Sequence, residues 1–548
     1  MMPLAAQAQA PDQAPAKPAR QRPPPLAVGA AIAADGVLWT VGLDAQRRLV
    51  LQRSADAGRT WTPAQVLDVA GDAVSADGEN RPKIAFSPQP GVVVVTYTKP
   101  LPKPFTGDVR LLRSSDGGAS FAAPVTVHAD RSLITHRFES ILFDEQGTLH
   151  TVWIDKRDQE AAKARGQAYR GAGVYRNESR DGGLSFGPDI RVADHSCECC
   201  RIALAAAPGG GVAALWRHVF NPNERDHAFA QWSASGVSPQ PAVPVRATLD
   251  RWALDACPHH GPGLAAASDG GWHAVWFGIR QGQAAVRYGR LDASGQPSAH
   301  MPVRPLPDPQ AEHADVAALG DRVVVVWKSF DGQRFVLRAW TRATAGGSSS
   351  CATWPPPRSS TINHGCSPME AASGWFGVMY NKPAWRPSMY RKACRWFWSL
   401  VMATSCLVAP AQALSAPAQL EPFEVGTFSQ WRSSVQRPTW VVFTATWCAM
   451  CPAVVSELIR SARQHPQRPL VWAVLTDVAP GEEDARFWSR HAHLRGADRV
   501  LGFEGIPQAI RYAVDPGWRG TVPHVALLEP GGRLALFSGQ PPASALQR

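Results

Sequence analysis

Runs of like charge are missing from this chain. It carries 56 Lys plus Arg against 45 Asp plus Glu, a formal charge of +11, but the arginines stand singly. The excess therefore describes solubility and a surface field, and argues against a nucleic-acid footprint. Charged residues are sparse at 18% and hydrophobic ones reach 45%, a globular balance. Long uninterrupted helices are argued against by 48 Pro and 46 Gly, which punctuate the chain with turns and favour an all-β reading for most of it. The apolar stretch at 396–408 falls short of the ~20 residues of an ordinary membrane span.

Set against these absences, 548 residues exceed one ordinary core, since domains run to roughly 100–200 residues. Residues 1–10 read as the tail of a secretory signal, with small residues at a cleavage pattern but no charged start. A Pro-, Ala- and Gln-rich stretch completes a disordered leader over 1–25. Export puts the ten cysteines where disulfides persist, and the expected location is periplasmic or otherwise extracytoplasmic.

Three segments repeat Ser-x-Asp-x-Gly-x-(Thr/Ser)-(Trp/Phe): Ser54 to Trp61, Ser114 to Phe121 and Ser179 to Phe186. In such a turn the Asp side chain bonds backbone amides, Gly supplies positive φ and the aromatic anchors the turn on its own sheet. A second repeat runs further. Apolar, β-rich strands, most of them with a Trp, recur at 37–39, 92–97, 149–153, 212–216, 272–276 and 323–327. Four strands per repeat and six repeats predict a six-bladed β-propeller over 26–345, whose closure protects strand edges. Remnants of the turn motif stand at 233–236 and 292–295, and the sixth repeat loses it altogether after Arg338.

The three motifs resemble the Asp boxes (BNR repeats) of sialidase-like propellers. In such a fold the entries to the inner strands converge on one face. They bring together Arg81, Arg137, Glu139, Arg201, His260 and His313 as candidate mouth ligands. The resemblance implies an arginine cluster, a Tyr/Glu nucleophile pair and an Asp acid. Here blade five offers Cys and His where an arginine is wanted, and no tyrosine lies between Tyr288 and Tyr380. Sialidase activity is therefore not expected, and fold alone does not assign it.

The same slot holds Cys197, Cys199, Cys200 and Cys257. A disulfide from one of the first three to Cys257 is the favoured reading. The alternative is a soft or borderline metal, copper or zinc, on the thiolates. Residues 346–388 read as linker. A basic start, an apolar stretch and a small-residue exit follow over 389–416, an internal signal peptide or, through 396–414, a membrane anchor.

Beyond it, an apolar β run at 439–444 leads into Trp447-Cys448-Ala449-Met450-Cys451-Pro452 and then a helical pattern. Strand, Cys-x-x-Cys and helix together put a thiol at a helix N-terminus, where amides and dipole favour the thiolate. Cys448 is the expected nucleophile and Cys451 the resolving thiol. Its function requires Cys448 to be reachable from solvent. A structural disulfide, or a zinc half-site completed by His491 and His493, is the bland alternative.

This stretch resembles the thioredoxin family over residues 420–548. The resemblance nominates Pro523, after Gly520-Thr521-Val522, as a cis-proline facing the active-site disulfide, and Trp447 as part of the motif. It also marks a departure, because Val442 stands where cytoplasmic thioredoxins keep a buried carboxylate. The expected architecture is multidomain: an all-β six-bladed β-propeller followed by an α/β thioredoxin fold. The expected function is exported thiol–disulfide oxidoreductase activity on protein dithiol or disulfide clients, needing no cofactor in the redox domain. The alternative is a glycoside-hydrolase propeller, or a client-binding scaffold, in an accidental fusion.

Overall fold

The computed structural model describes residues 27–76, 79–208, 210–233, 244–343, 350–354, 419–484 and 486–547. The leader 1–25, the turn remnant at 234–236, the linker 346–388 apart from a strand at 350–354, and the signal or anchor segment 389–416 lie outside the described residues. Among the described residues no helix is long and apolar enough to cross a membrane.

Six four-stranded antiparallel sheets follow one another in chain order, each a simple up-and-down meander. Their first strands are Gly29–Ile32, Lys83–Phe86, His136–Phe143, Ala203–Ala206, Gly263–Ala266 and Glu312–Leu319. From the first sheet to the sixth, each of these strands lies against its successor, which gives the radial arrangement of a six-bladed propeller. Second strands such as Leu149–Asp155 and Val212–Arg217 are buried along their whole length. The recurrent Trp is part of the reason. Trp153, Trp276 and Trp327 bury their rings while each indole N–H donates to a carboxylate, of Asp155, Asp250 and Asp308, so these three indoles keep their polar atom satisfied in the core.

The three turn motifs close the gap between third and fourth strands. In the third copy Ser179 Oγ donates to Asp181 Oδ1 (2.7 Å) and accepts from Gly183 N–H (2.8 Å), and Ser185 N–H donates to Asp181 (2.9 Å). Gly183 sits at φ 95°, where a side chain would be strained. The sixth blade corrects the expectation of a damaged end. Phe335–Ala343 pairs with Ser350–Trp354 in an antiparallel ladder, so a fourth strand forms without the motif. A helix, Arg157–Ala164, is inserted between the second and third strands of blade three.

The C-terminal residues build one six-stranded mixed sheet in the order Glu421–Phe423, Arg499–Phe503, Leu470–Leu475, Thr439–Thr444, His524–Glu529, Arg533–Ser538. The first four are mutually parallel and the last two antiparallel. Thr439–Thr444 is buried throughout, as a central strand covered on both faces must be. The helix Cys451–Gln464 starts with Pro452 in its first turn, where a missing N–H costs nothing, and buries Val454, Val455, Leu458 and Ile459 on one face. Val442, fully buried, packs in that layer with no carboxylate in its place.

Candidate functional site

Both groups of cysteines predicted from sequence lie at the face where the propeller meets the C-terminal sheet. The joint is a backbone bridge. Cys257 N–H donates to Val522 O (2.8 Å) and Val522 N–H donates to Cys257 O (3.1 Å). Around it His260 Nε2 meets Arg519 O at 2.8 Å, Arg519 donates to Pro309 O (2.8 Å), and the rings of His259 and Trp447 stack 3.9 Å apart at 13°. Gly539, at φ 94°, lies where an added Cβ would meet Asp255 O at 2.6 Å. One hydrophobic cluster runs through the joint and includes Cys197, Cys199, Cys200, Cys257, Cys448 and Cys451.

On the C-terminal side Cys448 and Cys451 form a disulfide at the start of the helix. Cys451 N–H points at Cys448 Sγ (3.2 Å), an amide placed to hold negative charge on that sulfur when the bond opens. Cys448 Sγ lies 3.8 Å from Val522 O, and the Val522–Pro523 peptide is cis. Exposure of Cys448 is 0%. The expectation of a solvent-facing nucleophile is therefore corrected: the propeller loop around Cys257 and His259 occupies the approach to it. His491 and His493 meet edge to face, with centroids 5.9 Å apart, beside Phe487 and are not among the ligand groups that the described residues bring within reach of a common ion.

On the propeller side all four thiols are buried and free, so the expected disulfide to Cys257 is not formed. The Sγ atoms of Cys197, Cys199 and Cys200 lie 3.6, 3.8 and 3.9 Å apart. That matches the edge of about 3.8 Å of a tetrahedron with metal–sulfur bonds near 2.3 Å, and the donor set fits a soft ion. Hydrogen bonds from the Cys199 and Cys200 thiols, opposed by burial, hold Cys197 well below the usual thiol range. Burial, with contacts to Cys197, Cys200 and Cys257, pushes Cys199 well up. A narrow crevice lined by Arg137, Phe138, Glu198, Cys199, Cys257 and Trp447 separates the two cysteine groups.

The predicted mouth residues fall into two sets. Glu79, absent from the sequence reading, organises the first: its buried carboxylate accepts from Arg201 (2.9 Å) and from Gly261 N–H (2.8 and 2.9 Å), with His313 at 3.5 Å. Burial opposes its ionisation, but Arg201 and His313 outweigh it and hold the group well below the carboxylate range. His260 stacks on His313 at 4.5 Å, and Arg81 lies close to Arg201 and Glu79 with its Nε buried and without a hydrogen bond. The second set is Glu139, which accepts from Thr98 (3.2 Å), with Lys83. Burial pushes Glu139 up and Lys83 down. Arg137 reaches over the Phe138 ring.

Three mouth residues, Phe138, His259 and His313, hold positive φ (58°, 55° and 48°), and the ladders of blades three and six shift register beside Phe138 and His313. Non-glycine residues in this region cost about 1–3 kcal/mol each and cluster at working sites. No residue-type signal announced them. A comparison of repeat spacing, which grows by one residue at a bulge, could have done so.

No protein-family model matches the chain, and no curated protein matches it. Among solved structures, a Hadza microbial sialidase is 15% identical with a TM-score of 0.37, over 55% of this chain and 63% of its own length, so this chain spans less than two thirds of it. An α-L-arabinofuranosidase of Fusarium graminearum, solved with arabinobiose, is 12% identical with a TM-score of 0.41, covering 59% of this chain and 95% of its own. An ulvan lyase is 12% identical with a TM-score of 0.39 over 57% and 80%. At such identity the likeness concerns chain path and assigns no chemistry.

Proposed function

We propose that the protein is a thiol–disulfide oxidoreductase whose working couple is Cys448 and Cys451, carried on a thioredoxin-like C-terminal fold. One observation carries this reading: a disulfide at a helix N-terminus, with an amide aimed at Cys448 Sγ and the Val522–Pro523 backbone edge 3.8 Å away. Opening the bond leaves a thiolate where helix amides stabilise it, and Cys451 stands one turn on to resolve a mixed disulfide. No cofactor takes part in that exchange. Protein dithiols or disulfides are the client class, and with Cys448 at 0% exposure they reach it from the propeller face or after that face lifts away, in a periplasmic or extracytoplasmic setting.

Equilibration of the full chain in glutathione buffers, acid quench and thiol-labelled mass spectrometry test it. A reversible two-electron transition at Cys448 and Cys451, lost in Cys448→Ser, is expected. A pair that stays oxidised in a large excess of reduced glutathione while the chain remains folded would refute it.

A second reading, glycan processing by the propeller, is favoured by the enzymes it resembles. The mouth speaks against it, since Arg201 is bound to Glu79 and His260 to Arg519. Release of sugar from chromogenic sialosides and arabinofuranosides separates the two. For the thiolates Cys197, Cys199 and Cys200 we propose zinc or copper(I) as the ion they would hold. Such an ion supplies a structural or cargo thiolate centre, and metal analysis of reduced protein checks it.

A further inference from the structure

We infer that the client of the Cys448/Cys451 couple is the propeller of the same chain, with Cys257 as the sulfur attacked and Cys199 as its partner. This deepens the oxidoreductase reading and rests on it. Cys448 is closed to outside proteins, at 0% exposure, and what closes it is the loop that carries Cys257. Val522 touches both sides: its carbonyl is 3.8 Å from Cys448 Sγ, and its N–H and C=O both pair with the backbone of Cys257. A two-bond antiparallel bridge of this kind is how an extended client segment is held by an exposed backbone edge. Cys199 and Cys257 line the crevice together with Trp447 and Ala449, the neighbours of Cys448.

In the reducing direction the chemistry closes without a cofactor. The Cys448 thiolate attacks Cys257 Sγ of a Cys199–Cys257 disulfide, whose S–S bond breaks as Cys199 leaves and takes a proton. Cys451, giving up its own proton, attacks Cys448 in the mixed disulfide and expels Cys257, which is protonated in turn. Two electrons and two protons pass from the C-terminal couple to the propeller pair. The products are the Cys448–Cys451 disulfide and the propeller thiols, the states found in this structure. An external dithiol resets the couple. Reversal of the same steps oxidises the propeller. Reduction would keep the thiolates of the propeller competent to take a soft metal, which binds thiolate and not disulfide.

The test uses the full chain carrying Cys451→Ser, equilibrated with oxidised and reduced glutathione, quenched in acid, alkylated and digested. Most of Cys448 is expected as a peptide disulfide to Cys257, and with Cys257→Ser added it should be recovered as free thiol or glutathione adduct while thermal unfolding stays cooperative. If Cys257→Ser does not fold, Cys199→Ser serves in its place, and the Cys448–Cys257 link must persist, with glutathione carried on Cys257 leaving in place of Cys199. With Cys257 present, Cys448 recovered as a glutathione adduct, or linked to Cys199, overturns the assignment. Should this occur while the unsubstituted chain keeps its two-electron transition, the oxidoreductase reading stands and only the client is wrong. Loss of that transition removes both.

Discussion

The two cysteine groups share one interface and one hydrophobic cluster, yet they are built by different means. Cys448 and Cys451 sit on a strand–turn–helix unit of consecutive residues, so their spacing, helix-end amide and disulfide follow from local chain geometry. The propeller thiols come from two loops some 57 residues apart, from Cys200 to Cys257, and their positions depend on a charge network centred on Glu79 that draws on blades two, four, five and six. A site made by one element tolerates change elsewhere, whereas a site made by many loops fails when any one of them slips.

The sharpest way to break that contrast is Glu79→Ala. It leaves the Arg201 guanidinium buried without its carboxylate, a loss of about 3–5 kcal/mol for a broken buried pair, and Gly261 N–H loses its acceptor. Urea unfolding followed by propeller Trp fluorescence is expected to show the loss, with the redox transition of Cys448 and Cys451 retained. Equal destabilisation of both regions would erase the distinction. Next in size is Gly539→Val. Positive φ costs about 1–3 kcal/mol in a β-branched residue, and the Asp255 carbonyl 2.6 Å from the new Cβ forces the two regions apart. Alkylation of Cys448 after mild reduction should accelerate at least tenfold, with insulin reduction appearing where the parent chain shows little.

Trp447→Ala removes the stack on His259, about 0.5–1.5 kcal/mol beyond burial, and a smaller rise in Cys448 alkylation is expected. The comparison can also be sharpened by pH. Burial holds His218 and His273 of the propeller and His491 and His524 of the C-terminal unit neutral, each with its pKa lowered to about 4. The unfolded chain binds these protons near 6.5 and the folded chain does not, so stability is complete above 6.5 and falls as pH drops towards 4. Melting temperatures measured from pH 7 to pH 5 should decline in both regions, and a flat profile in one of them would mark its histidines as solvent-reachable.

How much was legible beforehand follows the same division. Six Trp-bearing strands, three Asp-box turns and the Cys-x-x-Cys at a helix start are short-range patterns, and the chain path of the propeller could be read from them. The strand Ser350–Trp354 was missed because the last blade closes its ladder without the turn motif. Glu79 was missed because a single loop carboxylate has no motif; only its burial against Arg201 gives it meaning. The expected disulfide to Cys257 and the exposed Cys448 both failed on long-range contacts. Each depends on contacts between segments far apart in sequence: the thiols on how two propeller loops some 57 residues apart meet, and Cys448 on which propeller surface covers it, more than 180 positions away.

That contact alters the order of the kinetics. Because Cys257 and Val522 belong to one polypeptide and pair through two hydrogen bonds, their meeting is a unimolecular event at an effective concentration of roughly millimolar or above. Exchange across the crevice should therefore run at the same half-time whether the protein is dilute or crowded, and soluble thiols in the surrounding compartment would compete with it poorly.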